Sequence, residues 1–242
     1  ITDWNLLARY SPEETLPLTV ETSAAITAAQ FADTTGQLSA VFRFAPSTDE
    51  TELPIGELTW ETSGVQIEAL GPVLARFLPE TTVAGHITSI ATLDWQQDAV
   101  RVEAKLLSRD CTFHSPSVFS GETLSMQRGN LELRATSEGD KLKVEKLRFD
   151  SDFAEFELTA LCRNMLQSDT SHAENLPVLF EKVEAQGKLD LPRIASQLPS
   201  ALRLREHAKI ESGQLQFSVQ LASSEKGREW KADVTASELA AT

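Results

Sequence analysis

The sequence predicts a mainly β protein: an elongated, curled antiparallel sheet, a meander of ten or more strands, with two or three short helical inserts. Three observations predict it. Apolar and polar residues alternate with period two along many segments, as in Val100-Arg101-Val102-Glu103-Ala104-Lys105-Leu106, and successive side chains of a strand point to opposite faces. Each such strand has one dry and one wet face, the habit of antiparallel sheets, since parallel strands are usually buried on both sides. Polar, Gly-containing clusters separate the runs at hairpin distance. The same strands also fit a β-sandwich, the alternative architecture.

Along the chain, Trp4–Tyr10 followed by Ser11-Pro12-Glu13-Glu14 reads as an eroded strand-and-helix unit. Strands are expected over Leu16–Thr22, Gln37–Phe44, Glu57–Glu61, Val65–Ala69 and His86–Trp95. The strongest alternation lies in Val100–Leu106, Leu131–Ala135, Gly213–Leu221 and Trp230–Val234. Leu142–Phe149, Phe153–Leu161 and Lys182–Leu191 complete the set. Ser137–Asp140, Gln127–Asn130 and Ser223–Gly227 read as turns. Ala45–Leu53 and Asn164–Asn175 (the latter with His172) read as loops.

Pro72-Val73-Leu74-Ala75-Arg76-Phe77-Leu78-Pro79 and Pro192-Arg193-Ile194-Ala195-Ser196-Gln197-Leu198-Pro199 share Pro, aliphatic, Ala, Leu and Pro at the same places. Proline suits a first helical turn, and a second proline ends the helix about two turns later. Each segment stands between an alternating strand and a Gly-containing one, which suggests a degenerate repeat. The chain is expected to be one continuous β-rich segment, 1–242, with repeat units 1–64, 65–175 and 176–242. It begins at Ile1 without Met and reads as an excerpt or processed piece of a larger protein.

With 36 acidic and 22 basic residues the net charge is −14. Nucleic acid, which requires clustered Lys and Arg, is therefore an unfavourable partner, as is an anionic membrane approached through a polybasic patch. An apolar fraction of 41% argues against intrinsic disorder. No uncharged run reaches the ~18 apolar residues that a membrane span requires. Cys111 and Cys162 are either two buried small apolar residues or a disulfide, and two isolated cysteines do not make a zinc site.

No phosphate loop, dinucleotide fingerprint, HExxH, nucleophile elbow or EF-hand spacing is present, so no cofactor and no enzymatic activity is expected. His86, His114, His172 and His207 are scattered. Cys111 and His114 lie three apart on a strand and so face opposite ways. Glu103, Glu132, Glu145, Glu155 and Glu157 occupy the polar phase, which suits a solvated face better than a glycosidase-like carboxylate pair. Trp60, Trp95 and Trp230 fit core or groove lining.

The stretch Leu131–Ala160 resembles the strand repeat of the AsmA/TamB-like family. The likeness rests on the strand Leu131-Glu132-Leu133-Arg134-Ala135, the Gly139-Asp140 turn, Leu142-Lys143-Val144-Glu145-Lys146-Leu147, then Ser151 and a further strand ending at Ala160. The helix-then-strand units around Pro72 and Pro192 are similar to that family's insertions. The resemblance implies a periplasmic, extracytoplasmic protein, anchored to the inner membrane by an N-terminal helix outside this sequence. It also implies a curled sheet whose apolar lining carries phospholipid, with helical inserts that plug or divide the channel. It brings no catalytic residues. The expected partners are phospholipid acyl chains and envelope proteins, with membrane association only through segments outside this sequence. The expected groove lining is Val100, Val102, Leu106, Leu131, Leu133, Leu142, Val144, Phe156, Leu158, Leu215, Phe217 and Val219. The alternative function is a ligand-free structural or protein-interaction module.

Overall fold

A computed structural model describes residues 2–27, 35–45, 55–70, 80–96, 99–163, 180–205, 208–224 and 227–242. Twelve strands form one antiparallel sheet in strict chain order. They are β1 (Thr2–Tyr10), β2 (Leu18–Thr27), β3 (Thr35–Ala45), β4 (Ile55–Gln66), β5 (Thr82–Gln96) and β6 (Ala99–His114), then β7 (Thr123–Glu138), β8 (Lys141–Ser151), β9 (Ala154–Arg163), β10 (Phe180–Asp190), β11 (Ile210–Ser224) and β12 (Gly227–Ala241). Among the described residues, two short helices, α1 (Pro116–Phe119) and α2 (Leu191–Gln197), and one 3-10 turn (Ile67–Leu70) interrupt them. The structure is mainly β and its sheet is open, one of the two architectures that the alternation allows, and among the described residues no second sheet packs on it.

Several local expectations are corrected. The turn expected at Gln127–Asn130 is absent, because β7 runs through it and Gly129 pairs with Ser108. A Cβ at Gly129 would lie 2.5 Å from Ser108 Oγ and 2.7 Å from Met126 Cε, so the glycine makes room for two side chains inside a strand. Val65–Ala69 is no separate strand: Val65 and Gln66 end β4, and the chain then tightens into the 3-10 turn. This places the expected repeat boundary at residue 64 inside β4. Ser11–Leu16 forms turns and bends where an eroded helix was expected. The Pro72–Pro79 helix, the loops at 46–53 and 164–175, and His172 and His207 lie outside the described residues. The Ser137–Asp140 hairpin forms, with Gly139 at φ 55°.

Several bulges gather at one end of the sheet, while others, at Arg134/Ala135, Val144/Leu147 and Phe180/Lys182, lie away from it. Register shifts occur at Thr2/Asn5, Thr62/Val65, Ala84/His86 and Ser212/Gln214, with Asp3, Gly64, Gly85, Asp110, Gly213 and Glu238 at positive φ beside them. Bulges sharpen local twist and bend strands. Gly85 is needed here: at φ 131° its absent Cβ would sit 2.7 Å from Cys111 Sγ. At this end lies the main buried cluster of Val65, Ile67, Ile87, Cys111 and Met126, flanked by Leu106, Phe113, Phe149 and Phe153.

α2 straps the same end. Asp190 caps it by accepting a hydrogen bond from the Arg193 N–H at 3.0 Å, and proline sits in its first turn. Arg193 pairs with Asp152 and donates to the Asp152 carbonyl oxygen at 3.1 Å. Beyond the helix, the Ser200 and Ala201 N–H groups donate to the Glu122 carboxylate at 2.8 and 3.0 Å. The helix therefore touches β10 and β11 on one side and β7 on the other. A second, smaller cluster of Ala160, Val183 and Leu221 lies within the C-terminal strands.

Leu221 is 1% exposed, whereas its neighbour Val219 on the same face is half-buried. Leu221→Ala is expected to destabilise by about 3 kcal/mol, and Val219→Ala by less than about 1.5 kcal/mol, in urea unfolding. Partial desolvation raises the Glu122 carboxyl, but the Ser200 and Ala201 N–H groups outweigh it and hold the group below its ordinary value. A lowered carboxyl stabilises above its unfolded pKa of about 4.3, and this contribution is lost as the pH falls through the folded value. Glu122→Gln should therefore lower Tm at neutral pH, and its gap from the unmodified protein should shrink as the pH is taken down through the folded value.

Candidate functional site: the apolar face

Because paired residues point the same way, the register assigns every strand residue to one of two faces. One row crosses the whole sheet: Leu6, Thr22, Ala40, Trp60, Ala91, Ala104, Leu133, Leu147, Leu158, Ala185, Val219 and Ala232. Only Thr22 in that row is polar, and its hydroxyl accepts a hydrogen bond from the Trp4 indole N–H. The apolar phase is thus one continuous face over all twelve strands.

All twelve residues expected to line a groove lie on this face. Val100, Val102 and Leu106 stand on β6, Leu131 and Leu133 on β7, and Leu142 and Val144 on β8. Phe156 and Leu158 stand on β9, and Leu215, Phe217 and Val219 on β11. Register links them, through Leu131–Phe149–Phe156 and Leu133–Leu147–Leu158. The Phe149 and Phe156 rings stack with centroids 5.3 Å apart. Each of the twelve is half-buried, neither sealed as in a sandwich core nor standing free. Among the described residues no second sheet covers them, and α2 and the 3-10 turn close only one end.

The face extends beyond the expected residues. Trp4, Leu6 and Tyr10 on β1 are 70%, 67% and 67% exposed, and Trp230 and Val234 on β12 are 57% and 63% exposed. Val20, Phe42, Leu58, Trp60 and Leu93 share it. Their signal was present but blurred, since Thr22, Ala24 and Ala40 occupy apolar-phase positions among them.

The polar face has its own cleft, of about 960 Å³, reaching from Asp3 on β1 to Asn130 and Glu132 on β7. Ser23, Gln37, Ser39, Glu61, Ser63, Thr88 and Lys105 line it, all from the polar phase. No sign of this cleft stands in the sequence, and its lining also includes Ala24, Ala25, Leu38, Ile90 and Leu107. Alternation defines two faces, but twist and bulges decide where each one is hollow, and a twisted sheet has a concave direction on either side.

Three glutamates of the polar phase, Glu103, Glu132 and Glu155, are tied to cations on neighbouring strands, and Glu145 pairs with Lys143 on its own strand. Glu103 meets Arg134 at 3.3 Å, Glu132 meets Lys146 at 2.7 Å, and Glu155 meets Lys188 at 2.8 Å and Arg148 at 3.1 Å. Hydrogen bonding to Lys146 holds Glu132 below the ordinary carboxylate range, and Lys188 does the same for Glu155. A general acid requires the opposite shift. Among the described residues no three metal-ligating side chains gather, and no helix is long and apolar enough to cross a membrane. Compared with known family models, curated proteins and solved structures, the chain matches none.

Cys111 and Cys162 are free, buried thiols, which corrects the disulfide alternative. They stand on β6 and β9, with β7 and β8 between. The register row through Cys162 runs by Leu142 and Ser137 to Val100, at the other end of β6 from Cys111. A bridge needs Cα atoms within about 7 Å. Burial pushes both thiols above their ordinary pKa. Both should therefore resist a thiol-specific disulfide reagent in the native protein, with two equivalents titrating only after unfolding in denaturant.

Proposed function

We propose that this chain is a non-enzymatic segment of an extracytoplasmic, AsmA-like protein, and that its apolar face holds the acyl chains of phospholipid. The observation that supports the reading is the continuous apolar phase across twelve strands, half-exposed in the middle and open at both edge strands. Soluble proteins rarely leave so large a contiguous apolar surface without a partner. Such a surface acts by non-directional burial, so it suits flexible hydrocarbon and needs no convergent polar groups. The likeness of Leu131–Ala160 to the AsmA/TamB strand repeat points the same way and supports a periplasmic location, with envelope proteins as further partners. In this reading α2 and the buried cluster that includes Ile67, which close one end of the face, would serve as the plug that the resemblance implies.

Native mass spectrometry with organic extraction tests the proposal. Phospholipid that co-purifies, or adds to the stripped protein from short-chain phosphatidylglycerol or phosphatidylethanolamine, is the expected result. Leu133→Asp and Phe156→Asp should each abolish the adducts while circular dichroism keeps its β spectrum. A clean apo mass with no uptake would overturn the reading in favour of a ligand-free module that docks a protein.

A further inference from the structure

Two large aliphatic side chains stand where the alternation calls for polar ones. Ile90 on β5 and Leu107 on β6 lie on the polar face, 45% and 51% exposed, and both line its cleft. In the register row through Ile90, Glu61 on β4 is the partner on one side and Lys105 on β6 the partner on the other. A carboxylate, an aliphatic group and an ammonium thus stand side by side on three adjoining strands. The cleft, of about 960 Å³, lies within the size range of small-ligand sites. We propose that this row binds a short peptide with both ends free: its terminal ammonium on Glu61, an aliphatic side chain over Ile90 and Leu107, and its terminal carboxylate on Lys105.

Both charges of the row are unspent. Among the described residues Glu61 makes no ion pair and no side-chain hydrogen bond. Lys105, 67% exposed, comes only within 4.0 Å of Glu132, whose carboxylate is taken by Lys146 at 2.7 Å. The cleft is therefore polarised across the strands, negative at β4 and positive at β6. A ligand with separated charges complements it, whereas a simple anion or cation meets repulsion from one side. Neighbouring strands lie about 4.8 Å apart, which sets the Glu61 and Lys105 backbones roughly 10 Å from each other. An extended tripeptide spans about the same length. Gln37, Ser39, Ser63 and Asn130 line the same cleft, and among the described residues their side chains have no hydrogen-bond partner. Their amides and hydroxyls supply donors and acceptors for the peptide groups of the ligand. All these residues stand on β3 to β7, inner strands paired on both sides, so the site does not depend on what adjoins β1 or β12. It lies on the face opposite the acyl-chain surface and does not rest on lipid binding.

Titration with alanyl-leucyl-alanine, followed by NMR at low salt, tests it. The unmodified protein should bind this tripeptide saturably. Acetylating the peptide's amine, or amidating its carboxylate, should each weaken binding by about threefold to fivefold. In Glu61→Gln the free and acetylated peptides should bind equally, and in Lys105→Gln the free and amidated ones should. Ile90→Ser should weaken all three peptides alike. Circular dichroism checks that each variant keeps its fold, and the exposure of these side chains makes that the expected result. No saturable binding up to about 10 mM, the weak limit for so small a ligand, would overturn the proposal. So would blocked peptides that bind the unmodified protein as well as the free one does. A penalty for blocking that persists in the matching variant would overturn it equally, since the charge would then be read elsewhere.

Discussion

Each inner strand satisfies its backbone hydrogen bonds on both sides through its neighbours in the chain, and that ladder is the frame on which the other features depend. In a sandwich the ladder shares the task with a core closed from above. Here it does not, because the apolar side chains meet chiefly their lateral neighbours on adjoining strands. Among the described residues, buried apolar side chains cluster in two places, the bulged end around Val65 and Cys111 and the group around Leu221. The half-burial of the rest of the apolar face follows from one layer having nothing above it. The cross-strand ion pairs on the opposite face are exposed and screened, so they favour the observed register more than they add stability.

Strand existence was legible because period-two alternation is a local signal. Val100–Leu106 and Gly213–Leu221 announce themselves, and they sit within β6 and β11. What misled was glycine. In Gln127–Asn130 it resembles a turn, yet Gly129 serves a side-chain contact between strands, a non-local reason that no short window contains. β4 likewise absorbed what looked like two strands, since the shift between Thr62 and Val65 hides inside a pattern broken by Ser63 and Gly64.

The candidate site was legible to the same depth. Parity along a strand decides which residues share a face, so Val100 and Phe217 could be grouped although six strands separate their positions in the sheet, counting both ends. Curvature could not be read that way. Bulges such as those at Asp110, Gly85 and Gly213 bend strands locally, and the strap from Glu122 to the chain beyond α2 joins residues far apart in sequence. The apolar face was therefore foreseen, and the hollow on the polar side was not.

Strict chain order has a mechanical consequence. Within the sheet each described strand is hydrogen-bonded to the strands before and after it alone, so a pull on the two ends of the sheet loads the outermost hydrogen bonds first, while α2 ties β7 to β10 and β11 further in. β1 and β12 would detach by unzipping, bond after bond, and the next pair would then carry the load. The resistance to stretching is thus a staircase of small steps distributed along the sheet, where a fold with crossed connections would present one brittle threshold.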